Sequence, residues 1–318
     1  MYLSCNHDAV KTILALELKT EASMGTFLGH LVPGLALAVL GLWHTINTVQ
    51  AYYLKGSSKF MLRFWYPFKS PPWKLKHLEL IIILSFSIFA ILVQILDLQH
   101  LHFFLELDNI EHATMFLQLV IVTSFALFCE VNHLSKTMLG VSGILVASLF
   151  GQELFLLHYH STNHIGLEGH YHWLMQLIVC VSFLAALSAT TFPTSFPAAL
   201  VLATSVVFQG CWFINMGFML WVPDLAPRGC VTQPMNDSNS IIHGAVVCGS
   251  QEADLRAKAL ANLQFCWILS TILIFLASVC IGFGRQFTSR RQRVEYEQLS
   301  SPGAHEPLTT VGFKQIQL

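Results

Sequence analysis

The sequence is poor in charged residues, and this scarcity limits the classes of protein to which the chain can belong. Asp, Glu, Lys and Arg make up only 11% of the 318 residues, whereas 54% are hydrophobic and the mean hydropathy is +0.59. A chain with so little charge cannot cover a water-soluble surface of its own, so we expect the lipid bilayer to be its solvent. The formal net charge is −1 and there is no basic folded domain, which argues against nucleic acid as a partner.

Several motifs of enzymes and secreted proteins are also absent. The eight cysteines form no CxxC pair, and the chain contains no HExxH motif, no phosphate-binding loop and no Ser-His-Asp arrangement. Residues 1–23 lack the basic and apolar segments of a signal peptide. We therefore expect a protein that is not an enzyme, with a poorly ordered leader over residues 1–23.

Long apolar runs predict seven membrane-spanning helices, each of about the twenty residues that one crossing needs. The stretch from Trp173 to Val222 has no charged residue and is too long for one span, and Pro193 and Pro197 divide it into two. The sequence thus predicts an all-α, polytopic bundle over residues 24–284 and a disordered, polar tail over 285–318. The predicted spans are 27–54, 78–97, 110–131, 137–158, 171–191, 197–221 and 259–284.

Basic residues predict the orientation of this bundle, because loops rich in Lys and Arg stay in the cytoplasm. Six of them lie in the 55–76 loop after the first span, and four more follow the last span between Arg285 and Arg293. An odd number of spans then places the amino terminus outside and the carboxyl terminus in the cytoplasm. Aromatic residues among the cations of the 55–76 loop favour contact with anionic lipid.

The loop over residues 222–257 is predicted to lie outside, in the lumen or the extracellular space. It contains the sequon Asn236-Asp237-Ser238, which predicts a glycan on Asn236. It also contains two cysteines, Cys230 and Cys248, which can form a disulfide in an oxidising compartment. Both features indicate a membrane of the secretory or endosomal system, or the plasma membrane.

Histidines and acids concentrate at the outside ends of the predicted spans. Ionisable groups near membrane depth are costly, so this cluster indicates a functional site. Glu153 and His160 are seven residues apart and share one face of a helix. Imidazole and carboxylate are suitable zinc ligands, so we predict a divalent-metal or proton-responsive site in the outside half of the bundle. The predicted ligands, each facing inward, are His30, His112, Glu153, His160 and His172.

A second group of polar residues borders this predicted site. Its four histidines are favoured to act as interfacial residues and not as metal ligands, with an apolar ring in the membrane and a polar tip in water. The group comprises Asp97, Glu111, His100, His102, His158 and His170.

Several separated motifs together resemble one protein family. They are Gly29-His30 with Pro33-Gly34, Gln99-His100-Leu101-His102, His112 with Met115, Glu153 with His158-Tyr159-His160, His170-Tyr171-His172, Gln209-Gly210-Cys211-Trp212-Phe213 and Phe265-Cys266-Trp267. Over about residues 24–284 the chain resembles the transmembrane protein 45 family, a family with a domain of unknown function, and the Arg228-Gly229-Cys230 stretch resembles its plant branch. The resemblance implies a seven-span protein of secretory or endosomal membranes, linked to defence responses and without an established reaction.

Three classes of function are compatible with these features. The first, which we favour, is a transporter-like protein or sensor with a zinc-binding or proton-responsive site. The second is a trafficking or defence-response adaptor whose histidines only pack. The third is an intramembrane zinc hydrolase in which Glu153 or Asp97 acts as the base.

Overall fold

The protein is described by a computed structural model that covers residues 27–68, 76–97, 102–103, 107–159, 166–237 and 240–299. Side chains are described for most of these residues, but not for Asp97, His102, Asn236 or the last turns of the final helix. The predicted leader and the end of the predicted tail lie outside the described residues. Two of the candidate site residues, His100 and His160, lie outside them as well.

Seven long helices make up most of the described chain, and each is long and apolar enough to cross a membrane. This finding confirms the prediction of seven spans. Two short antiparallel hairpins accompany the helices, β1 (Leu96–Asp97) with β2 (His102–Phe103), and β3 (Cys230–Asp237) with β4 (Ser240–Cys248). The helices are α1 (Phe27–Lys55), α2 (Leu78–Ile95), α3 (Leu107–Val131), α4 (Leu139–His158), α5 (Leu167–Thr191), α6 (Phe196–Trp221) and α7 (Gln251–Leu299).

Helix α7 is much longer than the predicted span 259–284, and its polar ends explain why. The Ser250 hydroxyl accepts a hydrogen bond from the Ala253 backbone N at 3.2 Å, and Lys258 pairs with Asp254 at 2.7 Å, so the first turns are capped and stabilised before the apolar run begins. Beyond residue 284 no Pro or Gly interrupts the chain until Pro302. Residues 285–299 are therefore helical, which corrects the predicted disorder of this part of the tail.

Helices α1 and α6 approach each other closely because glycines face the contact. A Cβ atom built on Gly210 of α6 would lie 2.6 Å from the Gly34 carbonyl oxygen of α1 and would also collide with the Ala38 backbone N. Small residues at such positions let membrane helices pack backbone to backbone. The other neighbouring pairs are α2 with α3, α3 with α4, α4 with α5, and α5 with α6, while α7 packs on α1, α5 and α6.

The predicted outside loop forms the β3–β4 hairpin, which packs against α5, α6 and α7. Cys230 and Cys248 lie directly opposite each other in its register and form a disulfide, as the sequence predicted. Asn236 lies near the turn of the hairpin, within β3.

The loop between α1 and α2 folds back against the bundle, although its composition favoured a lipid-facing surface. Phe60, Leu62, Trp65 and Tyr66 are buried, so most of the loop's described aromatic rings pack on protein. Burial also raises the pKa of Tyr66, which keeps its hydroxyl neutral and hydrogen-bonded to Thr48 at 2.9 Å. Lys59 and Arg63, two of the loop's described cations, are exposed.

The buried acid Glu79 of α2 fastens this loop to two helices. Its Oε2 accepts hydrogen bonds from Trp43 Nε1 of α1 at 2.8 Å and from the Tyr66 backbone N of the loop at 2.9 Å. Its Oε1 lies 2.8 Å from His44 Nε2 of α1. We call this cluster the Glu79 tether, and it joins α1, α2 and the loop at the end of the bundle that carries the loop.

Candidate functional site

Two of the predicted histidines meet at the opposite end of the bundle, which we call the histidine end. His30 of α1 is 4% exposed and His172 of α5 is 8% exposed, and their ring centroids are 6.1 Å apart. The His30 ring also lies 4.3 Å from the Trp221 ring and 6.0 Å from Phe213, both of α6. Both histidines are therefore buried within the bundle, and the metal-binding role predicted for them stays a prediction.

Two further predicted residues, His112 of α3 and Glu153 of α4, line one cavity. His112 is 8% exposed, and Phe213, whose ring lies 6.0 Å from the His30 ring, borders the same cavity. The helices that carry His112 and Glu153 are joined by Gln152 Nε2, which donates to the Thr114 carbonyl at 3.1 Å. The four described candidates thus fall into two pairs, His30 with His172 and His112 with Glu153.

The cavity has a volume of about 700 Å³ and is bordered by α1, α2, α3, α4 and α6. Helix α1 packs on α6, and α2 packs on α3. Within the described residues α1 and α2 do not pack closely on each other, so a gap remains between them, and this gap is the cavity. The Glu79 tether closes the gap between α1 and α2 only at the loop end. Most of the wall is aliphatic or aromatic, and no Lys or Arg is among its described lining residues.

Few polar side chains interrupt this apolar wall, and most of them have partners. Both carboxylate oxygens of Glu79 are engaged in the tether, and Gln118 Nε2 donates to Ser148 Oγ at 2.9 Å. Glu153, by contrast, makes no hydrogen bond or ion pair with any residue for which the structure gives a position. It is therefore the cavity carboxylate that can receive a donor from a bound molecule.

Gln209 of α6 also lines the cavity, although it was not among the predicted site residues. Its side chain is 1% exposed, and its Nε2 donates to Ser182 Oγ of α5 at 2.9 Å. Its Oε1 has no hydrogen-bond partner among the described residues, which is costly for a buried acceptor. The signal available in the sequence was an amide in the middle of an apolar span, but such amides commonly bridge helices.

The secondary candidates lie mostly at the rim of the bundle. His158 is exposed and hydrogen-bonded to Gln176 at 3.2 Å, and His170 is hydrogen-bonded to Asn262 at 2.8 Å. These contacts agree with the interfacial role favoured for both. Glu111 lies in the first turns of α3, and Asp97 and His102 are opposite each other in the register of the β1–β2 hairpin.

A complete metal site is not assembled from the residues whose positions the structure gives. Among them, no group of three or more His, Cys, Asp or Glu side chains is placed to hold an ion. The predicted ligand His160 lies outside the described residues, so the predicted set cannot be tested as a whole. The zinc site stays a prediction.

The fold and the cavity define the class of the protein, a multi-pass helical membrane protein with an apolar cavity between its helices. Within that class, residues 139–281 match a family of unknown function, DUF716. The matched part runs from α4 into α7, so it includes Glu153, His172 and Gln209, whereas His30 and His112 precede it.

Proposed function

We propose that the protein is a transporter-like or sensor protein that takes an apolar molecule into the cavity between α1 and α2. The observation that carries this proposal is the cavity itself. Its volume of about 700 Å³ lies within the range of roughly 300–1,000 Å³ that is usual for small-molecule sites. An apolar wall with a few polar groups is also the usual composition of such sites. His112 and Glu153 form the polar part of the wall at the histidine end.

Filling the cavity is expected to abolish binding of an apolar molecule. Ala36 lines the cavity, and a tryptophan at this position would occupy part of its volume. We expect the neutral fluorescent probe prodan to bind the wild type saturably in lipid nanodiscs, above the background of empty nanodiscs, and to bind Ala36→Trp at least about tenfold more weakly. The control is Ala277→Trp, on an exposed part of α7 outside the cavity, which should bind like the wild type. Equal binding by empty nanodiscs and protein would contradict the proposal.

The proposed orientation places the β3–β4 hairpin in an oxidising lumen and the 55–76 loop in the cytoplasm. The disulfide and the sequon of the hairpin, together with the exposed cations of the 55–76 loop, support it. Secretory, endosomal or plasma membranes are the proposed location, and anionic lipid is the proposed partner of the exposed cations. The transmembrane protein 45 family carries the domain of unknown function matched here, which supports membership of that family.

This orientation predicts a glycan on Asn236 when the chain is made in a secretory membrane. Treatment with an N-glycosidase should then increase the electrophoretic mobility of the wild type, and Asn236→Gln should already migrate at the faster position. Peptide mapping without reduction should recover Cys230 and Cys248 as one linked fragment. A tag at Leu318 that is protected from protease added on the cytosolic side would refute the orientation.

A zinc site at the histidine end is the second candidate, and the side-by-side burial of His30 and His172 favours it. With His160 as a further ligand, these rings could hold zinc through neutral imidazole nitrogens. We expect stoichiometric zinc in purified protein at neutral pH, and its loss below about pH 6.5 as the imidazoles become protonated. His172→Ala should remove the metal, whereas His158→Ala, at the exposed rim, should retain it. Protein that takes up no zinc at neutral pH would refute this candidate.

A further inference from the structure

We propose that the cavity selects amphipathic amines, with the protonated amine held by Glu153 and the apolar body lying between α1 and α2. This inference rests on the proposed function, because it names the class of molecule that the cavity takes up. The polar groups that line the cavity determine which class of molecule it binds.

The charge of the cavity wall is the first argument. Glu153 is the carboxylate of the wall that has no partner in the described structure, since Glu79 is saturated by Trp43, His44 and the Tyr66 backbone. No Lys or Arg is among the lining residues that the structure describes. A carboxylate in an apolar site is strongly stabilised by an ammonium group that donates to it, whereas a bound anion would be repelled.

The hydrogen-bonding capacity of Glu153 is the second argument. Its carboxylate lines the cavity and forms no hydrogen bond or ion pair with the described residues. An ammonium group has three donors, so it can serve both carboxylate oxygens. A hydrocarbon would leave these acceptors unsatisfied, and a carboxylate ligand would add acceptors where donors are missing.

The apolar part of the cavity wall defines the rest of the ligand. Leu40, Ile82, Phe86, Phe116, Leu119 and Phe213 line the cavity together with other apolar residues. Such a wall favours an aliphatic or aromatic body with few further polar groups, because each buried polar group would need a partner and polar side chains are few in the wall. The inferred ligand is thus an apolar body with a single cationic, hydrogen-donating head.

The experiment compares three ligands that share one tail and differ in the head, namely decylamine, decanol and decanoate. Displacement of prodan from the wild type in nanodiscs of zwitterionic lipid is the measurement, with empty nanodiscs as background. We expect decylamine to displace the probe at a concentration at least about tenfold lower than decanol, and decanoate to be the weakest. Wild-type protein suffices for this comparison, so it does not depend on whether a variant folds.

One variant and one control then locate the selectivity. Glu153→Gln should lose the preference for decylamine over decanol and keep its affinity for decanol. Glu130→Gln, outside the cavity, should behave like the wild type. Decanol or decanoate displacing the probe as well as decylamine would overturn the inference and leave the proposed function standing. Failure of all three ligands and of the probe to bind would overturn both.

Discussion

Gly210→Val is expected to prevent α1 from docking on α6 and to leave little folded protein. The added Cβ would meet the Ala38 backbone N and, at 2.6 Å, the Gly34 carbonyl oxygen. These are backbone atoms, so relief requires separation of two helices that form the largest helix contact of the bundle. Overpacking a core usually costs about 1–3 kcal/mol, and a collision with backbone should exceed the upper end of that range. Thermal unfolding of detergent-solubilised protein is the measurement.

Gly140→Val is the matched control for this substitution. Gly140 lies in α4, and a Cβ atom built on it has no heavy atom within 4 Å. The change in side chain is the same, and Gly140 lies in the first turn of α4 with open space around it, so the variant should unfold close to the wild-type temperature. If Gly210→Val and Gly140→Val unfold at the same temperature, the close approach of α1 and α6 is wrong.

Glu79→Gln is expected to lower the free energy of unfolding by about 3 kcal/mol, because removing one partner from a buried, charge-assisted network leaves the others unsatisfied. The amide keeps the size of the carboxylate but replaces one acceptor oxygen with an NH₂ donor. Either His44 on one side, or Trp43 and the Tyr66 backbone N on the other, then faces this NH₂ group instead of an acceptor. Denaturant unfolding measures the loss. Increased protease cleavage within residues 56–68 would show that the loop has detached.

Glu130→Gln provides the comparison for Glu79→Gln. Its carboxylate pairs with the exposed Lys76 at 3.2 Å, in contact with solvent. Exposed ion pairs contribute about 0–1 kcal/mol, so this variant should be close to the wild type in stability. Equal losses for the two variants would mean that Glu79 acts only through its charge and not through the tether.

The spans could be predicted from sequence because the bilayer imposes a length and a composition on each of them. The predicted span 27–54 became α1 at Phe27–Lys55, and the division at Pro193 and Pro197 fell between α5 and α6. The ends were less predictable where polar helix turns continue beyond the apolar run, as at both ends of α7. Such turns are stabilised by caps and ion pairs that hydropathy does not measure.

The sequence was sufficient to predict which histidines are buried, but it was less informative about how the site residues are arranged. Periodicity and cost of burial pointed to His30, His112 and His172, and all three are buried. Which helices are neighbours depends on packing, and the close contact of α1 with α6 left a gap beside α2. That gap turned one predicted cluster into two pairs and gave Gln209 a place in a cavity wall.

The Glu79 tether also has a mechanical consequence, because it joins α1 and α2 near one end of both helices. Glu79 lies in the first turn of α2, and the 16 residues from there to Ile95 correspond to about 24 Å of helix at 1.5 Å per residue. With α1 packed on α6, the tether resists separation of α1 from α2 at the loop end and not at the far end of α2. Any tilt of α2 about the tether would displace the end at Ile95 most and the tethered end hardly at all.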